Sequence, residues 1–390
     1  MKFTLYTNAL SAHQIPLARE IASRVGAENF QYVYTSRNGQ ALQKSVASYS
    51  WIRHVPTDVD LVGRHDVDDW LENADVMLVG GIRPIDLIER RVKAGKKTFY
   101  MSERWFKPTL GILRLAWPPY FRMAKRFGEM LRCYDSLVYL PIGIHAARDM
   151  ARLCGLMHGD LRCLFRAPRL EFERKPGGRI LLAAKNAKDA KKYCLDKMRM
   201  WGYFVEKGRG NKEEGGNNVE CCPSDAQAPL RILWVGRLLR LKRVDTIIRA
   251  VGELSTCSTT GSLTLDIYGA GPEEAKLKKM AARYGNTIRF HPFVSMCEVR
   301  KLMRSHDVYV FASNGYEGWG AVVSEALEEG MKVVGTYESG ASATMLPETN
   351  LFRSCDWKML EKRLSADIPC VLIGDWSVKC AAEQLMKVIL

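Results

Sequence analysis

From residue 230 onward the chain repeats one unit: a short apolar run of strand formers, a glycine-bearing turn, then a stretch with helical spacing. Residues 230–235 end at Gly236 and lead to helical periodicity over 244–254, and 263–268 run into Gly269 and Gly271, with Pro272 suited to start a helix over 273–284. A strand and turn at 288–294, a helix near 296–304, a strand at 307–313, a helix from Ala321 and a strand at 332–335 continue the alternation. Strands separated by helices join in parallel through crossovers. The fold class is therefore α/β, with a doubly wound sheet covered on both faces.

Residues 230–372 make one such Rossmann-like domain, and the first half repeats the pattern. Strands are expected at 2–8, 74–81, 97–101 and 136–140, with Ser11 capping the first helix. A second α/β domain then covers 1–205, and 390 residues suffice for two separate cores. Residues 206–229 are polar and glycine-rich and read as an exposed loop or linker, although 197–205 could be the last strand of the first domain. Residues 373–390 read as a C-terminal helix.

The chemistry concentrates in the run Tyr316, Glu317, Gly318, Trp319, Gly320, Ala321, which leads into the helix that carries Glu325. Gly318 and Gly320 let backbone approach a ligand, and the first N–H groups of the helix suit an anion or sugar hydroxyls. The two oxygens of Glu325 can hold the vicinal diol of a ribose. Arg237 and Lys242 lie in a basic loop after a strand, where a guanidinium and an ammonium can neutralise a diphosphate. Alone, that loop reads more readily as a solvated basic surface; beside the glutamate pair the balance reverses. The turn at Gly269 and Gly271 fails as a dinucleotide fingerprint, because Glu274 stands where glycine or alanine is needed.

Two glutamates separated by seven residues, downstream of Gly236-Arg237 and Lys242, resemble the signature of the GT4-like retaining glycosyltransferases of the GT-B fold, glycosyl transferases group 1. The resemblance implies two Rossmann-like domains facing across a cleft, with the final helix crossing back to the first. It implies a UDP- or GDP-linked sugar donor held in the second domain, with no metal or other cofactor. Arg237 and Lys242 would then hold the diphosphate as it leaves, Glu317 would contact the sugar, and Glu325 the ribose. Gly269 and Gly271 would lie near the donor, and Phe293 and Val294 would meet the base. The acceptor would be a glycan or lipid-linked saccharide, in polysaccharide or glycoconjugate synthesis. No side chain stands out as a nucleophile, in keeping with front-face attack assisted by the leaving phosphate.

On the acceptor side, His13 sits in the first strand-to-helix loop, and Glu103, Arg104 and His145 follow strands, so each is a candidate for the cleft. His291, beside Pro292, is assigned no chemistry. The pairs Asp58 and Asp60, and Asp66 and Asp68, superficially match a metal motif, but Asp66 or Asp68 reads better as a helix cap. The sequence departs from the family pattern at Ala312, before Ser313, and in its first loop, which lacks a glycine-rich run.

Eleven cysteines without paired metal-ligand spacing, and no leading apolar segment, suggest reduced thiols and a cytoplasmic setting. The net charge of +15 is concentrated in the first 229 residues, which carry +12 of it. Residues 104–132 hold seven Lys and Arg against one Glu, interleaved with Trp105, Phe106, Trp117, Tyr120, Phe121 and Phe127. Such a segment suits an anionic membrane surface better than nucleic acid, with a buried aromatic core as an equal alternative. Two rivals from other classes are a non-catalytic basic binding protein and a nucleotide-sugar epimerase of the same fold. The first is supported by the charge and opposed by the intact set Arg237, Lys242, Glu317 and Glu325; the second lacks an identifiable acid/base pair.

Overall fold

A computed structural model describes residues 1–8, 14–34, 67–157, 159–165, 171–174, 180–183, 229–256, 262–371, 382–383 and 385–387. The chain divides into two compact units, residues 1–209 with 374–390, and residues 210–373.

The first unit contains β1 (Phe3–Thr7), α1 (Ile15–Val25), β2 (Phe30–Tyr34), α2 (Val67–Asn73), β3 (Val76–Gly80), α3 (Ile85–Lys93), β4 (Lys97–Ser102), α4 (Pro118–Cys133), β5 (Leu137–Pro141) and α5 (Ile144–Met157). These five strands form one parallel sheet, in the order β2-β1-β3-β4-β5. Phe3 pairs with Phe30 on one side and with Val76 on the other. Alternate residues of the central strand serve opposite faces. Met77 and Val79 pack with Tyr100, Phe127 and Tyr139, whereas Val76 and Leu78 pack with Phe3, Leu5 and Phe99. Both faces are apolar because both are covered, which is why the strands read as continuous hydrophobic runs. Ala382 and Leu385 are buried in the second of these clusters. A short antiparallel pair, β6 (Glu171–Arg174) and β7 (Ile180–Ala183), was not anticipated from the sequence.

The second unit contains β8 (Leu230–Val235), α6 (Val244–Thr256), β9 (Leu263–Tyr268), α7 (Glu274–Ala281), β10 (Ile288–His291), α8 (Met296–Ser305), β11 (Val308–Phe311), α9 (Val322–Glu328), β12 (Lys332–Thr336), α10 (Gly340–Met345), β13 (Leu351–Phe352) and α11 (Trp357–Leu364). The six strands are parallel in the order β10-β9-β8-β11-β12-β13. Succession reverses between β8 and β11, and the loops leaving these two neighbours diverge, opening a crevice at the carboxyl edge. The helix expected over 273–284 stops at Ala281, after which Ala282–Thr287 forms 3-10 turns interrupted at Gly285, whose φ is 58°. Ser295 and Glu298 form a reciprocal capping box that fixes the start of α8.

The basic and aromatic stretch 104–132 divides in two. Trp105, Phe106, Tyr120 and Phe127 are core residues, while Trp117 and Phe121 are exposed. The expected cap at Ser11, the aspartates at 58, 60 and 66, and the stretches 197–205 and 206–228 lie outside the described residues, as does the side chain of Asp68. Among the described residues, no helix is long and apolar enough to cross a membrane.

Arg91 is the unit's least expected core residue. It lies on α3 and is only 1% exposed. Its guanidinium donates to the carbonyls of Leu71 (2.9 Å), Glu72 (3.0 Å), Ala74 (2.8 Å) and Lys97 (3.4 Å) and to Thr98 Oγ1 (3.3 Å), tying the end of α2 to the entry of β4. Burial lowers its pKa to about 10, yet it remains cationic at neutral pH. Arg91→Ala would orphan several buried carbonyls at once and is expected to cost about 3–5 kcal/mol in denaturant unfolding. Arg91→Lys, with three donors on a point charge in place of a planar fork, should recover only part of that loss.

Candidate active site

The switch between β8 and β11 brings together two of the residues singled out in the sequence. The loop after β8 carries Arg237 and Lys242, and the loop after β11 carries Glu317. Lys242 Nζ lies 2.5 Å from Glu317 Oε2, with both side chains about one fifth exposed. The ammonium also lies 5.8 Å from the centre of the Phe311 ring. The two loops are stitched by backbone as well: Asn314 N–H donates to the Leu241 carbonyl at 2.9 Å. Asn314 then organises its own turn, its side-chain oxygen accepting from Tyr316 N–H at 3.1 Å and its carbonyl from Glu317 N–H at 3.0 Å.

Arg237 is exposed and forms no ion pair among the described residues. Its loop is shaped from beneath by Gly269 and Gly271. A Cβ on Gly269 would lie 1.9 Å from the Gly236 carbonyl oxygen, and one on Gly271 would lie 2.5 Å from that of Leu238. These glycines thus permit two backbones to touch, and the contact sets the path of the Gly236–Leu238 segment.

The glutamate turn is clamped from the other side by the loop after β12. Gly340 N–H donates to the Gly318 carbonyl (3.3 Å), Ala341 N–H to the Trp319 carbonyl (2.8 Å), and Ser339 Oγ to that same carbonyl (3.0 Å). Trp319 is buried, and Gly320 takes φ 86° against the Phe311 ring, where a Cβ would come within 2.6 Å of Cζ. Ala321 occupies the N-cap position of α9, and Glu325 lies in that helix's first turn, half-buried.

Tyr309 on β11 is a fully buried phenol beneath the same loops. Its hydroxyl donates to the Val235 carbonyl at 3.1 Å, at the end of β8. Burial pushes its phenol pKa far up, the bond to Val235 opposes that shift, and the charges of Glu325 and Glu317 add to it. Tyr309 was not singled out in the sequence, since inside an apolar strand it reads as core.

Phe293 is exposed and Val294 half-buried, immediately past β10. Next to them His291 bonds Asp266 through Nε2 at 2.6 Å and stacks on Tyr268 with ring centres 4.3 Å apart. In the first unit, Glu103 pairs with Lys107 (3.3 Å), and Arg104 Nε lies 3.6 Å from the Asp149 carboxylate, which also accepts from Phe106 N–H at 2.9 Å. Burial raises the Asp149 pKa despite the neighbouring Arg104. His145 is half-buried in the first turn of α5. His13 lies outside the described residues. No cluster of metal-ligating side chains occurs among the described residues.

Residues 225–378 match the model of the family "Glycosyl transferases group 1". The chain is 28% identical over 112 residues to the UDP-N-acetylglucosamine–peptide N-acetylglucosaminyltransferase GtfA subunit of Streptococcus pneumoniae serotype 4, covering 29% of this chain and 22% of that one. To the corresponding subunit of Streptococcus agalactiae it is 33% identical over 106 residues, 27% of this chain and 20% of that one. The chain thus spans about a fifth of the length of these relatives. Among solved structures, the lipopolysaccharide outer core galactosyltransferase WaaB superposes with a TM-score of 0.54 at 14% identity, covering 94% of this chain and 90% of that one. Anabaena HepE in complex with UDP gives a TM-score of 0.54 at 12% identity, covering 100% and 99%. Identities this low speak for the fold alone. Residues 225–378, most of the second unit, are thus similar to a glycosyl transferases group 1 domain, and the two α/β units have the GT-B fold of the solved structures they resemble.

Proposed function

We propose that this chain is a retaining, metal-independent GT4 enzyme that moves a sugar from a UDP- or GDP-linked donor to a glycan or lipid-linked acceptor, in polysaccharide or glycoconjugate synthesis. The observation that carries the reading is the Lys242–Glu317 contact at the switch point, beside the unpaired Arg237. Residues 1–205 supply the acceptor side in this reading, with His13, Glu103, Arg104 and His145 as its candidates. Residues 230–372 hold the donor. Peripheral attachment of a cytoplasmic enzyme to an anionic membrane through 104–132 belongs to the same reading. The names of the GtfA relatives, which act with UDP-N-acetylglucosamine, favour a uridine donor.

The chemistry follows from the charges. As the bond between the anomeric carbon and the diphosphate oxygen breaks, negative charge builds on the leaving oxygen, where Arg237 and Lys242 stabilise it more strongly than in the ground state. The acceptor hydroxyl attacks from the same face, and its proton passes to the departing phosphate. Glu317 positions the sugar, and Glu325 takes the two ribose hydroxyls. Before donor arrives, Lys242 is neutralised by Glu317; when the diphosphate binds, it supplies a second anion for the same ammonium. The protein exchanges one charge-assisted bond for another, so the cation stays partnered throughout.

Four outcomes test this. Across a panel of nucleotide sugars, slow donor hydrolysis is expected with one UDP- or GDP-linked member; an epimerised product, or neither binding nor turnover, would refute the proposal. Lys242→Ala should lower kcat by about 10²–10³, whereas Glu317→Gln should bind the free nucleoside diphosphate up to about tenfold more tightly while slowing transfer, because the ammonium loses its competing carboxylate. Gly269→Ala forces the Gly236 loop to move and should weaken nucleotide binding in calorimetry even where the protein remains folded.

A further inference from the structure

We infer that an exposed strip within residues 109–122 is the surface by which the first unit docks on an anionic lipid bilayer. This deepens the membrane reading by naming its contact residues and its lipid class. Four large apolar side chains stand out there: Leu110 is 56% exposed, Leu113 67%, Trp117 64% and Phe121 41%. All four fall within twelve residues, Leu110 and Leu113 three apart at the 3-10 turn Gly111–Ala116 and Trp117 and Phe121 four apart at the entry to α4. The other aromatics of 104–132 are core, so the strip is what remains outside. Thr109, just before it, takes φ 77°, a costly conformation for a β-branched residue and one retained where the surroundings impose it.

The charges identify the partner. Arg122 is exposed and Arg114 half-buried, and neither forms an ion pair among the described residues. Three neighbouring cations are neutralised: Lys107 by Glu103 (3.3 Å), Lys125 by Glu129 (3.8 Å), and Arg126 by Glu89 and by Asp86 (2.8 Å). The strip thus joins apolar side chains and a tryptophan, the residue best suited to the headgroup level, with two uncompensated guanidinium groups. Anionic headgroups supply the missing charge, and the acyl boundary accepts Leu110, Leu113 and Phe121. A second copy packed on the same strip would set these arginines against their own equivalents. Nucleic acid would offer nothing to the leucines.

Position gives the strip a use. It leaves the carboxyl end of β4 and enters α4, so it lies on the rim where open α/β sheets bind ligands. If the acceptor is lipid-linked, as proposed above, docking presents it to that rim without extracting it from the bilayer.

The test is co-sedimentation of the full chain with vesicles of phosphatidylcholine alone or mixed equally with phosphatidylglycerol, with UDP binding measured on the same preparations. The wild type should partition to the mixed vesicles, and Leu113→Ser/Trp117→Ser should lose about tenfold or more of that partitioning. Arg114→Gln/Arg122→Gln should lose the preference for phosphatidylglycerol. Leu113 and Trp117 are surface side chains, and Trp117 makes no side-chain cap bond, so unfolding and UDP binding should be unchanged. No binding by the wild type, equal binding by the Leu113/Trp117 variant, or a wild-type dimer that this variant abolishes would each overturn the inference. A chain that binds vesicles but no nucleotide would sink the donor reading and leave this one standing.

Discussion

The ammonium–carboxylate contact of Lys242 with Glu317 ties together the two loops on which the proposed donor chemistry depends. These loops come from β8 and β11, adjacent strands whose crossovers lead to opposite faces of the sheet, so backbone pairing alone cannot keep their tips together. The ion pair and the Asn314–Leu241 bond do so. Being only about one fifth exposed, the pair is less screened than a surface bridge, and losing either partner would strand a charge in a poorly solvated crevice. In the proposed reaction the same partial burial strengthens the field of Lys242 at a bound diphosphate, because water weakens it less.

Beneath that contact lies a constraint of pure sterics. The β9 turn touches the β8 loop so closely that only glycine fits at 269 and 271, and the β12 loop touches the glutamate turn at Gly318 and Gly340. Rigid backbone therefore presses on the site from both sides. Preorganisation of this kind would let fixed dipoles and charges face the diphosphate of the proposed donor without reorganising during the reaction.

Much of this was legible in the sequence, and the remainder was hidden for physical reasons. Strand runs, glycine turns and their order carry the doubly wound topology because each element is specified locally. Lys242 and Glu317 could be paired only through that topology, being 75 residues apart. Arg91 was unreadable: one basic residue in an amphipathic helix looks solvated until tertiary packing surrounds it with carbonyls. Tyr309 was missed because an aromatic inside an apolar strand looks like core, which its ring is, while its hydroxyl works at the strand's end. The aromatics of 104–132 were divisible in principle. Tyr120, Ala124, Phe127 and Leu131 recur at helical spacing and are buried, leaving Phe121 on the other face.

His291 illustrates how a side chain without chemistry still serves the site. β10 is an edge strand of four residues, too short for its ladder with β9 alone to hold the following loop firmly. Buried Asp266 on β9 adds the missing restraint, receiving His291 at 2.6 Å, Arg289 at 3.1 Å and, from the end of α8, His306 at 3.5 Å. A carboxylate taken out of water needs such partners, and here all three come from the segments flanking residues 292–305. The loop bearing Phe293 and Val294 is thereby anchored at both ends, by β10 and by the C-terminus of α8, while the Phe293 ring remains exposed. A base that stacks there meets an aromatic surface whose backbone is already fixed, so little conformational entropy remains to be lost on binding.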